Sequence, residues 1–195
     1  GNATADGCTY LVKNRDMGIQ IQQVMVEYHY ADGTSIAEVG GAGIVTYPAL
    51  GVNSMGLTVT STGFWSPKVE VHMEDAASRN IFVNMHHLLR TCATTQDVLT
   101  CLDSYPRMNG LNLIAADESS AVLVETTRDD YLVEWADERG ILYRTNHYML
   151  GDHKTLNKEF EEYPSTFMRY DRIGQLLTGR KHKIRFQDLV SIMSD

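Results

Sequence analysis

The residues most able to do chemistry fall in five separate places. Lys13-Asn14-Arg15-Asp16 crowds an amide, two cations and a carboxylate at the end of a short apolar run. Thr60-Ser61-Thr62 places three hydroxyls in a row. Asn112 stands alone in an apolar run, where a carboxamide must find hydrogen-bond partners and is either a brace or a site group. Thr145-Asn146-His147-Tyr148 joins a hydroxyl, an amide, an imidazole and a phenol, and Arg169 follows beside Tyr170. A strand end that presents an amide, two cations and a carboxylate reads as a site wall or as a solvated strand terminus. Asn53, in a glycine-rich stretch, reads first as a turn former. His86 and His87 are adjacent, so on a helix they point apart and cannot chelate one ion as i, i+4 residues do. Cys8, Cys92 and Cys101 show neither metal-ligand spacing nor the even number of a disulfide framework.

The elements that must carry these residues follow from hydrophobic period. Asp6-Gly7 is a turn dipeptide leading to a strand at residues 9–12. Period-2 alternation marks residues 19–30, 35–39, 44–47 and 57–62, with Gly51 to Gly56 read as a turn. The period then changes: apolar residues from Asp75 to Leu89 fall at helical spacing, and Thr94 or Thr95 caps a second helix. Strands are expected at residues 111–116, 121–126, 131–135 and 141–145. A helix capped by Ser165 and ended by Gly179 follows, then one from Phe186. Hairpins alternating in blocks with helix pairs imply an α+β fold with antiparallel sheets in one domain over residues 1–195.

The 195 residues carry a net charge of −8 and 43% hydrophobic side chains. That content supports a sizeable core, and the acidic balance argues against a nucleic-acid partner. No apolar run reaches the length of a membrane span, no charged and apolar lead-in of a signal peptide stands at the start, and no glycine-rich phosphate loop joins a strand to a helix.

Taken in order, residues 3–7, residues 13–16, Gly51-Val52-Asn53-Ser54-Met55-Gly56-Leu57, residues 112–117 with Glu125, Thr145-Asn146-His147 and residues 165–169 resemble the N-terminal nucleophile (Ntn) hydrolases. The similarity is to the choloylglycine hydrolase and acyl-coenzyme A:6-aminopenicillanic acid acyltransferase group, the C45-type peptidases closest. The resemblance implies a four-layer αββα sandwich and cleavage or transfer at a linear, non-peptide C–N amide bond of an N-acyl small molecule. It implies a cysteine thioester, an N-terminal cysteine whose own α-amino group is the base, autoprocessing and no cofactor. Carried onto this chain, it assigns Asp16 to the nucleophile's amino group, Asn146 to the oxyanion and Arg169 to the late helix. Lys13 stands where the family pattern has Arg, and Asn14 matches the pattern's Asn. The family's oxyanion Asn after Gly56-Leu57 has no clear counterpart, and Thr60, Ser61 or Thr62 takes that strand end. Gly1 is not a nucleophile, so the cysteine is expected about four to seven residues before it, and further strands are expected after Asp195. Cys8, mid-chain and without a free amine, is a poor substitute. The resemblance leaves open a homo-oligomer or a complementing chain segment as protein partner, and a nucleophile-less relative that binds acylated small molecules is the alternative.

Overall fold

The alternating runs pair into one seven-stranded antiparallel sheet in the computed structural model, which describes residues 3–15, 22–43, 50–63, 66, 68–69, 81–104, 107–178 and 183–195. Its strands are β1 (Gln23–His29), β2 (Ser35–Gly41), β3 (Leu50–Asn53), β4 (Thr58–Gly63), β5 (Leu111–Ala116), β6 (Ala121–Thr126) and β7 (Tyr131–Trp135). Each strand pairs with its neighbour in the sequence, so the sheet is a meander. The helices are α1 (Ile81–Thr91), α2 (Thr95–Leu102), α3 (Pro164–Thr178) and α4 (Phe186–Met193), with a 3₁₀ turn at Gly151–Leu156.

Register decides which side chains share a face, because residues opposed across an antiparallel pair point the same way. Val59 opposes Ala115, and Ser61 opposes Leu113. These stand over α1 and α2, in a core with Leu57, Met85, Leu88, Leu89, Val98, Leu102, Leu111, Val122 and Val124. Burying each such Leu or Val contributes roughly 1.5–3 kcal/mol. Close approach is built in at Gly51, where a Cβ would lie 2.5 Å from the Leu89 side chain. Thr94 caps α2, its hydroxyl accepting from the Asp97 amide while Asp97 returns the bond to the Thr94 backbone.

The other sheet face carries Thr60, Thr62, Asn112, Ile114, Leu123 and Glu125, as the pairs Thr60–Ile114, Thr62–Asn112, Asn112–Glu125 and Ile114–Leu123 require. Across it runs the chain from Arg144 to Leu150, and α3 lies over that segment. A smaller apolar cluster of Leu177, Ile184 and Ile192 joins α3 and α4. The N-terminal stretch docks there: Ile184 donates its N–H to the Ala3 carbonyl (2.7 Å) and its own carbonyl accepts from Ala5 (3.0 Å).

The α+β class and the antiparallel pairing match the sequence reading, with local corrections. Residues 9–12 and 141–145 carry no strand ladder, so every described strand belongs to the one sheet. Alternation reports an extended backbone; a ladder also needs a neighbour. The stretch read as a turn from Gly51 begins as β3 and turns only at Ser54–Gly56, where Gly56 takes φ +96°. The helix expected to be capped by Ser165 takes that residue inside it, with Pro164 in the first position that proline favours. The expected strand at 44–47, the helix start near Asp75 and the Gly179 stop lie outside the described residues.

Candidate active site

A cleft of about 1390 Å³ opens between the N-terminal stretch, the end of β4, the segment before Asn146 and the two last helices. Lys13, Asn14, Thr60, Ser61, Thr62, Asn146 and Arg169 all line it. The fold thus gathers residues that the sequence keeps in four separate stretches.

Asn146 is held at both ends of its carboxamide. Its Nδ2 donates to the Gly63 carbonyl (2.6 Å) and its Oδ1 accepts from Arg169 Nη2 (3.0 Å). These two bonds settle which end of the amide is which, since a carbonyl must face the N–H and a guanidinium must face the oxygen. An amide nitrogen carries two N–H groups, and Gly63 takes one of them. The backbone N–H of Asn146 donates to Thr166 Oγ1 (2.8 Å).

The other expected residues take distinct places. Lys13 Nζ donates to the Ser61 carbonyl, so the N-terminal stretch is tied to the β4 end. Ser61 contributes this carbonyl, while its hydroxyl side belongs to the helix-facing register with Leu113. Asn14 Nδ2 donates to the Met193 carbonyl at the end of α4 (2.7 Å). Thr62 Oγ1 donates to the Thr145 carbonyl (2.8 Å). Thr60 is buried on the same face as Thr62. Asn112 is fully buried and its Nδ2 lies within reach of Thr62 Oγ1 (3.2 Å), the Thr145 carbonyl (3.0 Å) and the His147 carbonyl (3.2 Å). Of the two alternatives for Asn112, the brace is what these contacts describe, and it acts on the site segment from beneath. Asp16 lies outside the described residues.

Supporting residues hold Asn146 from behind, and of these Thr166 was not singled out in the sequence. Thr166, only 1% exposed in the first turn of α3, accepts from Asn146 and meets His147 Nδ1 (2.9 Å). A threonine there reads as an ordinary helix start. His147 is buried against the Phe167 ring (centroids 4.3 Å apart). Burial, with Arg144 and Arg169 nearby, pushes the imidazole down to about 4, so it is neutral at pH 7. Glu125, wholly buried, accepts the N–H groups of Met149 (2.5 Å) and Leu150 (2.9 Å) and lies 3.3 Å from Arg144. Burial raises its carboxyl. Arg144 also donates to Glu134 (2.6 Å), so a buried charge network anchors the chain on both sides of Asn146.

Residues weighed and set aside in the sequence have plain structural places. Asn53 Nδ2 donates to the Leu89 and Cys92 carbonyls (2.7 and 2.8 Å), and its Oδ1 accepts from Met55 and Leu57 (3.1 and 2.9 Å), tying the β3–β4 turn to the end of α1. His86 joins Glu38 (2.8 Å) and Tyr30 (2.9 Å). Cys8 is exposed in a turn, its N–H given to Asp6 Oδ1 (3.1 Å). Among the described residues no cluster of His, Cys, Asp and Glu could hold a metal ion, and no helix is long and apolar enough to cross a membrane.

The fold has a counterpart in penicillin V acylase from Agrobacterium tumefaciens, at TM-score 0.53 and 16% identity, over 83% of this chain and 56% of the acylase. The chain therefore spans little more than half the length of that relative. Two variants of conjugated bile acid hydrolase from Clostridium perfringens align at TM-score 0.42, with 16% and 17% identity, over 71% and 72% of this chain and 43% of theirs. No curated protein sequence matches. The family model of acyl-coenzyme A:6-aminopenicillanic acid acyl-transferase matches residues 3–195, and the chain belongs to that family.

Proposed function

We propose that this protein is an Ntn amide hydrolase or acyltransferase that acts on a linear, non-peptide C–N bond of an N-acyl small molecule through a cysteine thioester. The observation that carries the reading is Asn146. Its carboxamide is fixed at the cleft wall by Gly63 and Arg169, with one Nδ2 hydrogen bond among the described residues, and in this reading the other N–H meets the substrate's oxygen. Family membership supplies the reaction class.

In this reading the nucleophile is an N-terminal cysteine preceding Gly1. Its thiol passes a proton to its own α-amino group, whose ordinary pKa near 8 suits a base at neutral pH. The thiolate attacks the amide carbon, and the carbonyl electrons move to oxygen, where Asn146 Nδ2 and backbone N–H groups receive the charge. Collapse expels the amine, which takes the proton from the α-ammonium, and leaves a thioester. Water or an acceptor amine then attacks the thioester and releases the thiol. Asp16 holds the α-amino group, Arg169 orients Asn146, and Lys13, Asn14, Thr60, Ser61, Thr62 and Asn112 shape the wall and its supports.

The test uses the natural full-length gene product. N-terminal sequencing and intact mass, before and after a thiol alkylator, should find a mature N-terminal cysteine that reacts first. Asn146→Ala should then lower kcat on N-acyl amides by roughly 100- to 1000-fold, the cost of one oxyanion donor. A mature chain without an N-terminal thiol, or an unchanged kcat, overturns the reading and leaves a binding relative of the enzymes.

A further inference from the structure

We propose that Thr166 is the positioning residue for Asn146: its hydroxyl, backed by the His147 ring, fixes the backbone from which the Asn146 carboxamide is aimed. This rests on the function proposed above.

The segment Thr145–His147 is clamped from two sides. From the sheet, Thr62 and Asn112 bind the Thr145 carbonyl, and Asn112 also binds that of His147. From the helix, Thr166 makes the bonds to Thr145, to the Asn146 backbone and to His147, and Arg169 adds one to the Asn146 carboxamide. The Thr166 carbonyl accepts from Thr145 Oγ1 (2.9 Å). The Thr166 hydroxyl meets Asn146 N (2.8 Å), His147 Nδ1 (2.9 Å) and Thr145 Oγ1 (3.1 Å). Thr166 thus touches all three consecutive residues of the segment.

Hydroxyl chemistry makes this hard to replace. Thr166 Oγ1 must accept from Asn146 N while its own single proton goes to Thr145 or His147. A neutral imidazole completes either arrangement, because its Nδ1 can accept or donate. Serine preserves these bonds; valine, of nearly the same shape, supplies none.

Helix geometry couples this hydroxyl to the second hold on Asn146. Thr166 and Arg169 are three residues apart on α3, so they share a face. Thr166 holds the Asn146 backbone, and Arg169 holds its side-chain oxygen. Two points on one rigid helix therefore define where the Nδ2 donor lies. Removing the first lets the backbone N–H seek another partner and swings the carboxamide with it.

The experiment compares Thr166→Val and Thr166→Ser in the full-length protein. Thr166→Val should lower kcat roughly 10- to 100-fold, the effect of a misplacement near 1 Å, with KM little changed. Thr166→Ser should restore most of the rate. A Thr166→Val protein that folds by circular dichroism and keeps wild-type kcat overturns the proposal, as does a serine variant as slow as the valine one. If Thr166→Val does not fold, Thr166→Ala carries the same comparison. If the wild type turns over no N-acyl amide, the proposed function falls, and positioning is read instead from the Asn146 side-chain amide in a 1H–15N spectrum. Its two protons should be well separated in wild type and Thr166→Ser and drift toward solvent-exposed values in Thr166→Val. Identical shifts in all three proteins overturn the positioning role by itself.

Discussion

Lowering the pH from 7 to 5 should destabilise this protein through His147 before the carboxylates dominate. The imidazole titrates at 6.5 in the unfolded chain and is held at about 4 in the fold by burial and by Arg144 and Arg169. The unfolded state therefore binds the proton first as pH falls. The stabilisation is fully present above 6.5 and is lost as pH drops toward 4. Two-site linkage with these values gives a loss of about 2 kcal/mol between pH 7 and pH 5. With a urea dependence of about 2 kcal/mol per molar, the midpoint should fall by about 1 M. The assay is urea unfolding at half-unit steps of pH, for wild type and His147→Asn. Asparagine keeps a polar atom near the Nδ1 position and does not titrate, so its curve should be flatter by that amount. Parallel curves would refute the reasoning, because the pH dependence would then belong to groups other than His147.

Two further outcomes are expected. Asn53→Ala should lower unfolding free energy by about 2–4 kcal/mol in urea titrations, since four bonds to α1 and the β3–β4 turn are lost together. Cys8→Ala should leave both folding and turnover of an N-acyl substrate intact, because the side chain is exposed and its turn is held through the backbone; loss of turnover in a folded variant would move the nucleophile to Cys8.

The sheet was the most legible part of the sequence. β5, β6 and β7 lie where short apolar runs and the turn residues between them place them, and β5 and β6 are buried on both faces. β3 was hidden by Gly51, which reads as a turn residue but is small because Leu89 presses on it. The candidate site was legible as residue types and unreadable as geometry. Asn146 and Gly63 are 83 positions apart, and nothing in either stretch states that they meet. Thr166 was silent for a different reason: its role depends on a hydroxyl facing a segment twenty residues back, which no local pattern encodes. The polar cluster at 145–148, by contrast, announced itself through composition, because a hydroxyl, an amide, an imidazole and a phenol follow one another directly after an expected strand.

The docking of the first residues on the last helices sets an order of assembly. The meander can form as it emerges from the ribosome, each strand meeting the one made just before it. The N-terminal stretch has the Ser61 carbonyl as a partner in the meander, but Asn14 waits for Met193, 179 positions later. At ordinary translation speeds that interval lasts roughly ten to forty seconds. Once Trp135 has been made and until Met193 follows, every strand of the sheet is present while one wall of the cleft is still missing. The wall that residues 13–15 form against α4 therefore closes only after α4 has been made.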